Sequence, residues 1–215
     1  MPFIKVFCFN DFGENTFVIG NEGECIIIDP GCYSREEEEE LIHFIENQNL
    51  RPKSIINTHC HIDHVLGVEK IKNHFQVPFI IREKEVPVLT SVKLYAPLYG
   101  YPDFVEPVPG GFIDEQETVS VGNQSWQIFD VPGHSPGHIA LYNREASICI
   151  SGDVLFNRSI GRSDLAGGDY ETLIKSIKTK LFTLPEDTKI FPGHGPETTV
   201  REEKKYNPFC GENAL

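Results

Sequence analysis

One stretch of the sequence gathers side chains that bind metal ions. Three histidines and an aspartate occur within six positions, directly after the apolar, strand-like run 54–58. Because side chains two apart on an extended chain leave from the same side, His59 and His61 can converge on one point. Asp63 and His64 follow where apolar residues begin to recur at helical spacing, so they face a neighbouring point. Four candidate ligands divided in this way indicate two metal ions rather than one.

Three further predicted strands also end in a metal-competent side chain. In each, an apolar run is followed by a glycine that permits a tight turn and then by the candidate ligand, which is His134, Asp153 or His194. His138 comes four residues after His134, and we expect it to orient a ligand rather than to be one. Cys60 lies between two candidate ligands, so its side chain is expected to point away from the metal and to pack or support the site.

The elements that must position these ligands form a pattern of strands interleaved with helices. An initial meander of short strands is predicted at 3–9, 16–20 and 24–28. Ser34, Asp169 and Thr199 stand where helices are expected to begin. Residues 95–112 combine tyrosines with prolines and glycines, which predicts a long loop that either overhangs a pocket or crosses the surface. The whole pattern favours a layered α/β protein whose ligands gather at one edge of the sheets.

Length and charge narrow the classes of protein to consider. A chain of 215 residues can bury one sizeable core but is short for two ordinary domains, so a single domain over residues 1–215 is expected. Lys and Arg number 19 against 32 Asp and Glu, and the formal charge of −13 disfavours nucleic acid and anionic membranes as partners. The sequence has no apolar run of about 18 residues, and residues 1–15 lack a secretory signal, so we expect a cytoplasmic protein. The six cysteines form no C-x-x-C pair and are expected to be reduced, packed thiols.

The order of these motifs resembles that of the metallo-β-lactamase superfamily. The resemblance rests on H-x-H-x-D-H at 59–64, P-G-H at 132–134, S-G-D-V-L-F at 151–156 and P-G-H-G-P at 192–196. Within this superfamily the chain is most similar to the glyoxalase II-type thioester hydrolases (hydroxyacylglutathione hydrolases), especially their short bacterial forms. The likeness spans nearly the whole chain. It implies a four-layer αββα sandwich with a dinuclear metal site at one edge of the sheets.

The resemblance also implies a position for each ligand. The first ion is expected at His59, His61 and His134, the second at Asp63, His64 and His194, and Asp153 is expected to bridge them. Asp63 and Asp153 are the expected catalytic residues. Histidine and carboxylate ligands suit zinc, iron and manganese, and two divalent ions, zinc before the other two, are the expected cofactors.

The implied reaction is hydrolysis of a thioester, with S-lactoylglutathione or a related hydroxyacyl thioester as the expected substrate. Two cations that share a water lower its pKa towards about 7, so that a bridging hydroxide attacks the carbonyl. The weakly basic thiolate then leaves without a strong general acid. Full-length glyoxalase II enzymes carry an additional helical C-terminal domain, whereas 20 residues follow Gly195 here, so no separate glutathione-binding domain is expected. Arg162 is the expected anion contact in place of the family's lysine.

Several other functions remain as alternatives. Persulfide dioxygenases share the fold and a Gly-Arg-Ser/Thr-Asp loop, matched here at 161–164, and would hold one iron on His59, His134 and Asp153. The P-G-H-G run at 192–195 resembles the hydrolases more closely, and aspartate rather than cysteine at position 153 disfavours the antibiotic-hydrolysing zinc enzymes. The acidic balance disfavours a nuclease, and the complete ligand set disfavours a non-catalytic protein. A small-molecule thioester is therefore the expected partner, and the oligomeric state is left open.

Overall fold

The computed structural model describes residues 2–115, 117–212 and 214. The chain divides into two compact units, the first made of residues 1–113 with 120–124 and the second of residues 114–119 with 125–215. The single domain expected over residues 1–215 stays a prediction, and its ends at Met1 and Leu215 lie outside the described residues. Each unit carries its own group of candidate ligands.

The first unit is built on a six-stranded sheet. Its strands, in spatial order, are β1 (Phe3–Phe9), β2 (Glu14–Asn21), β3 (Glu24–Ile28), β4 (Arg51–Ile56), β5 (Phe79–Ile81) and β6 (Gly111–Phe112). The first three are antiparallel neighbours, and β3 to β6 pair in parallel. β1 and β3 have the predicted bounds, whereas β2 extends beyond the predicted range 16–20 at both ends. β4 lies between β3 and β5, and its carboxyl end leads into the first candidate ligands.

Four α-helices complete the first unit, together with two 3₁₀ turns at Glu83–Glu85 and Ala96–Tyr99. The helices are α1 (Arg35–Asn47), α2 (Ile62–Val65), α3 (Val68–Phe75) and α4 (Val86–Tyr95). Ser34 caps α1 as predicted, since its side chain accepts a hydrogen bond from Glu37 N while the Glu37 carboxylate accepts from Ser34 N. Apolar side chains of these helices, such as Leu41, Ile71 and Val92, are buried in one core cluster with β3, β4 and β5.

Two local predictions for this unit need correction. The helix expected after Asp63 is two helices, because the chain at Gly67 closely approaches another segment: a Cβ there would lie 2.4 Å from Cys32 Sγ. The range 95–112 is not one loop, since it begins at the last residue of α4, continues through the turn Ala96–Tyr99 and ends in β6. Pro97 fits the start of that turn because an N–H there has no intrahelical acceptor.

The second unit contains most of another six-stranded sheet, whose order is β14-β13-β10-β9-β8-β7. Its strands in chain order are β7 (Thr118–Val121), β8 (Gln124–Asp130), β9 (Ile139–Asn143), β10 (Ile148–Gly152), β13 (Lys189–Pro192) and β14 (Thr198–Thr199). A small hairpin of β11 (Leu155–Phe156) and β12 (Ser159–Ile160) follows β10. Two α-helices, α5 (Tyr170–Thr179) and α6 (Val200–Tyr206), and a 3₁₀ turn at Leu181–Thr183 complete the elements described here. Asp169 and Thr199 cap α5 and α6, as predicted.

The cysteines and the hydrophobic segments bear on two further expectations. All six cysteines are thiols, and five are buried, but Cys8 is exposed. Cys8 was expected to be packed; it faces solvent because burial alternates along β1, which is an edge strand. Within the described residues, no helix combines the length and the apolar character that a membrane span requires.

Candidate metal centre

The first group of candidate ligands follows β4 in the chain. Residues after Ile56 form a short irregular segment, and α2 then carries Asp63 and His64. Two amide side chains fix this segment. Asn57 Nδ2 donates to His64 O at 2.6 Å, and Asn10 Nδ2 donates to Asp63 O at 3.0 Å. The backbone that presents the ligands is thus held by buried and partly buried hydrogen bonds rather than left to solvent.

Asp29, at the end of β3, is the central hydrogen-bond acceptor of this group. Its Oδ1 accepts from Thr58 N at 2.6 Å, and its Oδ2 accepts from Thr58 Oγ1 at 2.6 Å and lies 3.1 Å from His64 Nδ1. Burial raises the pKa of Asp29, while the hydrogen bond and charge of His64 oppose the rise. Because a carboxylate oxygen accepts hydrogen bonds, His64 carries its proton on Nδ1 and its lone pair on Nε2.

The same reasoning shows which ring nitrogen of His59 carries the proton. The Thr58 hydroxyl uses its proton on Asp29, so at 3.1 Å from His59 Nδ1 the hydroxyl oxygen is the acceptor and the imidazole the donor. Candidate ligand atoms of Asp29, His59 and His64 lie within 4.8 Å of one another. Both oxygens of Asp29 already accept hydrogen bonds, so we interpret Asp29 as orienting the two histidines rather than as binding the ion.

The first unit brings all four of its sequence-predicted ligands together. The ring centroid of His59 lies 4.8 Å from that of His61 and 4.1 Å from that of His64. His64 Nε2 lies 3.6 Å from Asp63 Oδ2. A second buried carboxyl, Glu14, has its Oε1 3.9 Å from His64 Nδ1, and burial raises its pKa well above the ordinary value.

The second group of candidate ligands meets around one carboxylate oxygen. Asp153 Oδ2 lies 3.6 Å from His134 Nε2 and 3.5 Å from His194 Nε2. His134 Nδ1 lies 2.7 Å from the carbonyl oxygen of Arg162, which can only accept, so the proton is on Nδ1 and the lone pair on Nε2. As predicted, His138 supports a ligand: its Nε2 accepts from Asp153 N at 3.0 Å.

Two glycines allow the chain to pack closely around the second group of ligands. Gly133 has φ +129°, and a Cβ there would lie 2.3 Å from the backbone of Leu173 on α5. A Cβ at Gly161 would lie 1.9 Å from Asp153 O and 3.1 Å from His134 Nδ1. The β11–β12 hairpin returns the chain to Asp153, and it can do so only because residue 161 has no side chain.

The distances within these pairs indicate metal ligation more than hydrogen bonding. An N–H···O hydrogen bond spans about 2.7–3.2 Å, whereas two ligand atoms about 2.0–2.2 Å from a shared tetrahedral ion lie about 3.3–3.6 Å apart. The three imidazole–carboxylate distances are 3.5 to 3.6 Å. Imidazole Nε2 atoms and carboxylates at this spacing suit a divalent zinc, iron or manganese ion.

Arg162 contributes to the second group through its backbone, and its side chain is engaged elsewhere. The guanidinium makes two hydrogen bonds of 2.8 Å to the carboxylate of Asp164, and both side chains are exposed. This pairing lowers the pKa of Asp164 to about 2. Arg162 as a contact for the substrate stays a prediction.

Two supporting groups were not predicted, the carboxylate of Asp29 and the backbone carbonyl of Arg162. Asp29 has the same signal as the predicted ligands, an acidic residue directly after a buried strand, and it adopts a φ of +49° there. The carbonyl of Arg162 carries no signal in the sequence, because every residue has one. The cysteine prediction at position 60 is confirmed: Cys60 is buried in the apolar core cluster of the first unit.

Comparison with known proteins identifies the family. Residues 9–194 match the family model described as metallo-beta-lactamase superfamily. The chain is 38% identical to Hydroxyacylglutathione hydrolase GloC of Haemophilus influenzae, over 98% of this chain and 99% of that protein.

Two solved structures extend the comparison. The crystal structure of BLEG-1, described as a B3 metallo-beta-lactamase, is 34% identical with a TM-score of 0.88 and covers 97% of this chain and 99% of its own. The structure of TTHA1623 in a di-iron-bound form is 33% identical to this chain, with a TM-score of 0.84. The match covers 96% of this chain and 99% of TTHA1623. These matches confirm the predicted metallo-β-lactamase fold, a mixed α/β fold with two main sheets and helices.

Proposed function

Because the chain belongs to the metallo-β-lactamase superfamily of metallo-hydrolases, we propose that it is a metal-dependent thioester hydrolase. The proposed substrate is S-lactoylglutathione or a related hydroxyacyl thioester. Support comes from the motifs in the sequence and from the similarity to a hydroxyacylglutathione hydrolase along nearly the full length of both chains. The ligand chemistry of both units is compatible with this reaction.

The proposed cofactor is a pair of divalent ions. His59, His61 and His134 would hold the first ion, Asp63, His64 and His194 would hold the second, and Asp153 would contact both. TTHA1623, a protein 33% identical to this chain, is described in a di-iron-bound form. Zinc, iron and manganese all suit the nitrogen and oxygen ligands.

The position of Asp153 is the observation that carries the proposal. Its Oδ2 lies at ligand–ligand distance from the Nε2 atoms of two histidines, 3.6 Å from His134 and 3.5 Å from His194. One carboxylate oxygen that faces two imidazoles in this way suits a bridging role. A purely structural Asp–His pair would instead close to hydrogen-bond distance.

The protein's own groups prepare the site for hydrolysis. When bound, two such cations supply hydroxide at neutral pH and polarise a carbonyl oxygen. Asp29 and the carbonyl of Arg162 hold protons on Nδ1 of His64 and His134, so that the Nε2 atoms face the site. A thioester releases a weakly basic thiolate, which explains why no additional general acid is needed in this proposal.

The test is to measure metal content and thioester hydrolysis on the same preparation. We expect two metal ions per chain and rapid hydrolysis of S-lactoylglutathione. Asp153→Asn should abolish hydrolysis and reduce the metal count, whereas the exposed Asp187→Asn is the matched control and should change neither. Unchanged turnover in Asp153→Asn would refute the dinuclear proposal.

Two other activities belong in the same assay. Hydrolysis of a β-lactam is the second candidate, because BLEG-1 is described as a B3 metallo-beta-lactamase and is 34% identical to this chain. Cleavage of a chromogenic cephalosporin without thioester cleavage would favour it. One iron per chain with oxygen uptake on glutathione persulfide would instead favour the dioxygenase alternative.

A further inference from the structure

An aromatic surface is exposed on the first unit. It consists of Phe12, Tyr95, Tyr99 and Tyr101, and we call it the aromatic wall. The Phe12 ring lies 6.1 Å from that of Tyr99 and 6.0 Å from that of Tyr101, and the Tyr95 and Tyr99 rings are 5.8 Å apart. Phe12 is 40% exposed and Tyr99 is 58% exposed, while Tyr101 is buried beneath them. Clustered exposed rings of this kind commonly mark a binding surface.

One side chain connects the wall to a candidate metal ligand. Asn10 Oδ1 accepts from Phe12 N at 3.0 Å, and Asn10 Nδ2 donates to Asp63 O at 3.0 Å. Asn10 adopts a φ of +51°, a conformation that asparagine tolerates better than most residues. The Asn10 side chain therefore links the backbone of Phe12 to the backbone of Asp63.

The other end of the wall also lies beside Asp63. The helix α4, which ends at Tyr95, contacts the helix α2, which carries Asp63. Burial raises the pKa of the Tyr95 hydroxyl to about 12, and the Asp63 carboxylate adds to this rise. The wall thus begins within electrostatic range of a candidate ligand.

Some of the charges that act on the wall are acidic. Burial raises the pKa of Tyr101, and the charges of Asp11, Glu37 and Asp63 also raise it, whereas a hydrogen bond with the Asp11 backbone opposes the rise. A substrate carboxylate placed on this surface would be repelled by these like charges. An uncharged apolar group avoids that repulsion and can stack on the exposed rings.

We propose that the aromatic wall binds an uncharged aromatic or branched apolar group of the thioester, next to the carbonyl that is hydrolysed. The proposal rests on the proposed hydrolase function and names the substrate class for it. The preferred substrates are then thioesters whose group at the wall is uncharged and apolar. Phe12 and Tyr99 are then specificity-determining residues, because they are the two exposed rings of the wall.

The test compares small thioesters that differ in the presence and position of an aromatic group. S-acetyl-N-acetylcysteamine has none, S-phenylacetyl-N-acetylcysteamine has one on the acyl side, and the thioacetate of benzyl mercaptan has one on the thiol side. With metal-loaded wild type, we expect kcat/KM to be about 10-fold or more higher for one of the two aromatic thioesters than for the acetyl compound. The side that gains identifies which part of the substrate contacts the wall.

The variants locate this preference on the wall. Phe12→Ala combined with Tyr99→Ala should lower the aromatic-to-acetyl ratio of kcat/KM about 10-fold. Phe112→Ala is the control, because Phe112 is 53% exposed on β6 of the same unit and is not part of the wall; it should leave the ratio unchanged. A binding measurement complements kinetics: by titration calorimetry, S-benzyl-N-acetylcysteamine should bind more tightly than its S-methyl analogue to wild type, and the double variant should lose the difference.

The outcomes separate this proposal from the proposed function. Wild type that holds two metals but hydrolyses no thioester refutes the hydrolase function itself. Wild type that hydrolyses thioesters without an aromatic preference leaves the hydrolase function standing and overturns the role of the wall. If Phe112→Ala lowers the aromatic-to-acetyl ratio of kcat/KM as much as the double variant does, the role of the wall is also overturned. Where a variant is poorly folded, the calorimetric comparison of the benzyl and methyl compounds on wild type still tests the aromatic preference.

Discussion

The substitution Gly161→Ala tests how the second group of ligands is held. A Cβ at residue 161 would lie 1.9 Å from the carbonyl oxygen of Asp153, where real Cβ contacts are essentially never under 3.0 Å. The backbone must therefore move by at least the difference, 1.1 Å. The two neighbours that must give way are Asp153 and His134, whose Nδ1 would be 3.1 Å from the new methyl group.

The displacement predicts a large functional effect and a moderate effect on stability. A misplacement of about 1 Å in a catalytic group costs about 100-fold in rate, so kcat/KM for the thioester should fall about 100-fold. Overpacking at a well-packed position lowers the free energy of unfolding by about 1–3 kcal/mol. The variant should therefore remain folded at room temperature while it loses activity and binds metal less tightly.

The assay combines kinetics, metal content and thermal unfolding, with Gly111→Ala as the control. The Cβ added at Gly111 would meet its nearest neighbour, Ile80 Cγ1, at 4.0 Å, which is ordinary van der Waals contact. This control should keep kcat/KM within about 3-fold of wild type, since substitutions without strain have small effects. If Gly161→Ala retains two metals and comparable activity, the reasoning that the hairpin positions Asp153 is wrong.

Three further predictions follow from individual contacts. Asp29→Asn replaces the acceptor of His64 Nδ1 and should weaken metal binding about 10–100-fold, as measured by competition with a chelator; unchanged affinity would contradict the orienting role. The Asp164 carboxyl should titrate near pH 2, because Arg162 stabilises its charged form. The ion pair then stabilises the folded protein above the ordinary aspartate pKa, and this contribution is lost as the pH falls through about 2. A titration midpoint near 3.8, measured by carbon NMR, would refute this. Iodoacetamide should modify Cys8 alone in the native protein, since the other five cysteines are buried; a second adduct by intact-mass spectrometry would show that one of them opens.

The sequence predicted the ligand-bearing elements well, because these depend on local patterns. Apolar runs that end in a glycine and a histidine or aspartate mark strands that stop at a site, and Asp153 and His194 follow β10 and β13 in this way. The role of His138 was also predictable, since its spacing from His134 suits an orienting group. Helix caps such as Ser34 are equally local signals.

Long-range contacts set the features that the sequence did not predict. The break between α2 and α3 depends on the approach of Gly67 to Cys32, which lies on another segment. The orientation of His134 depends on the backbone carbonyl of Arg162, which no side-chain pattern reveals.

The protons on Nδ1 of His59, His64 and His134 have a consequence for how ions enter the site. The acceptor for His59 is the Thr58 hydroxyl, that for His64 is the Asp29 carboxylate, and that for His134 is the carbonyl of Arg162. An arriving ion then meets imidazoles that need neither to rotate nor to shift a proton before they bind. The order in which competing ions load should accordingly follow how readily each sheds its own water, rather than how far the polypeptide must rearrange.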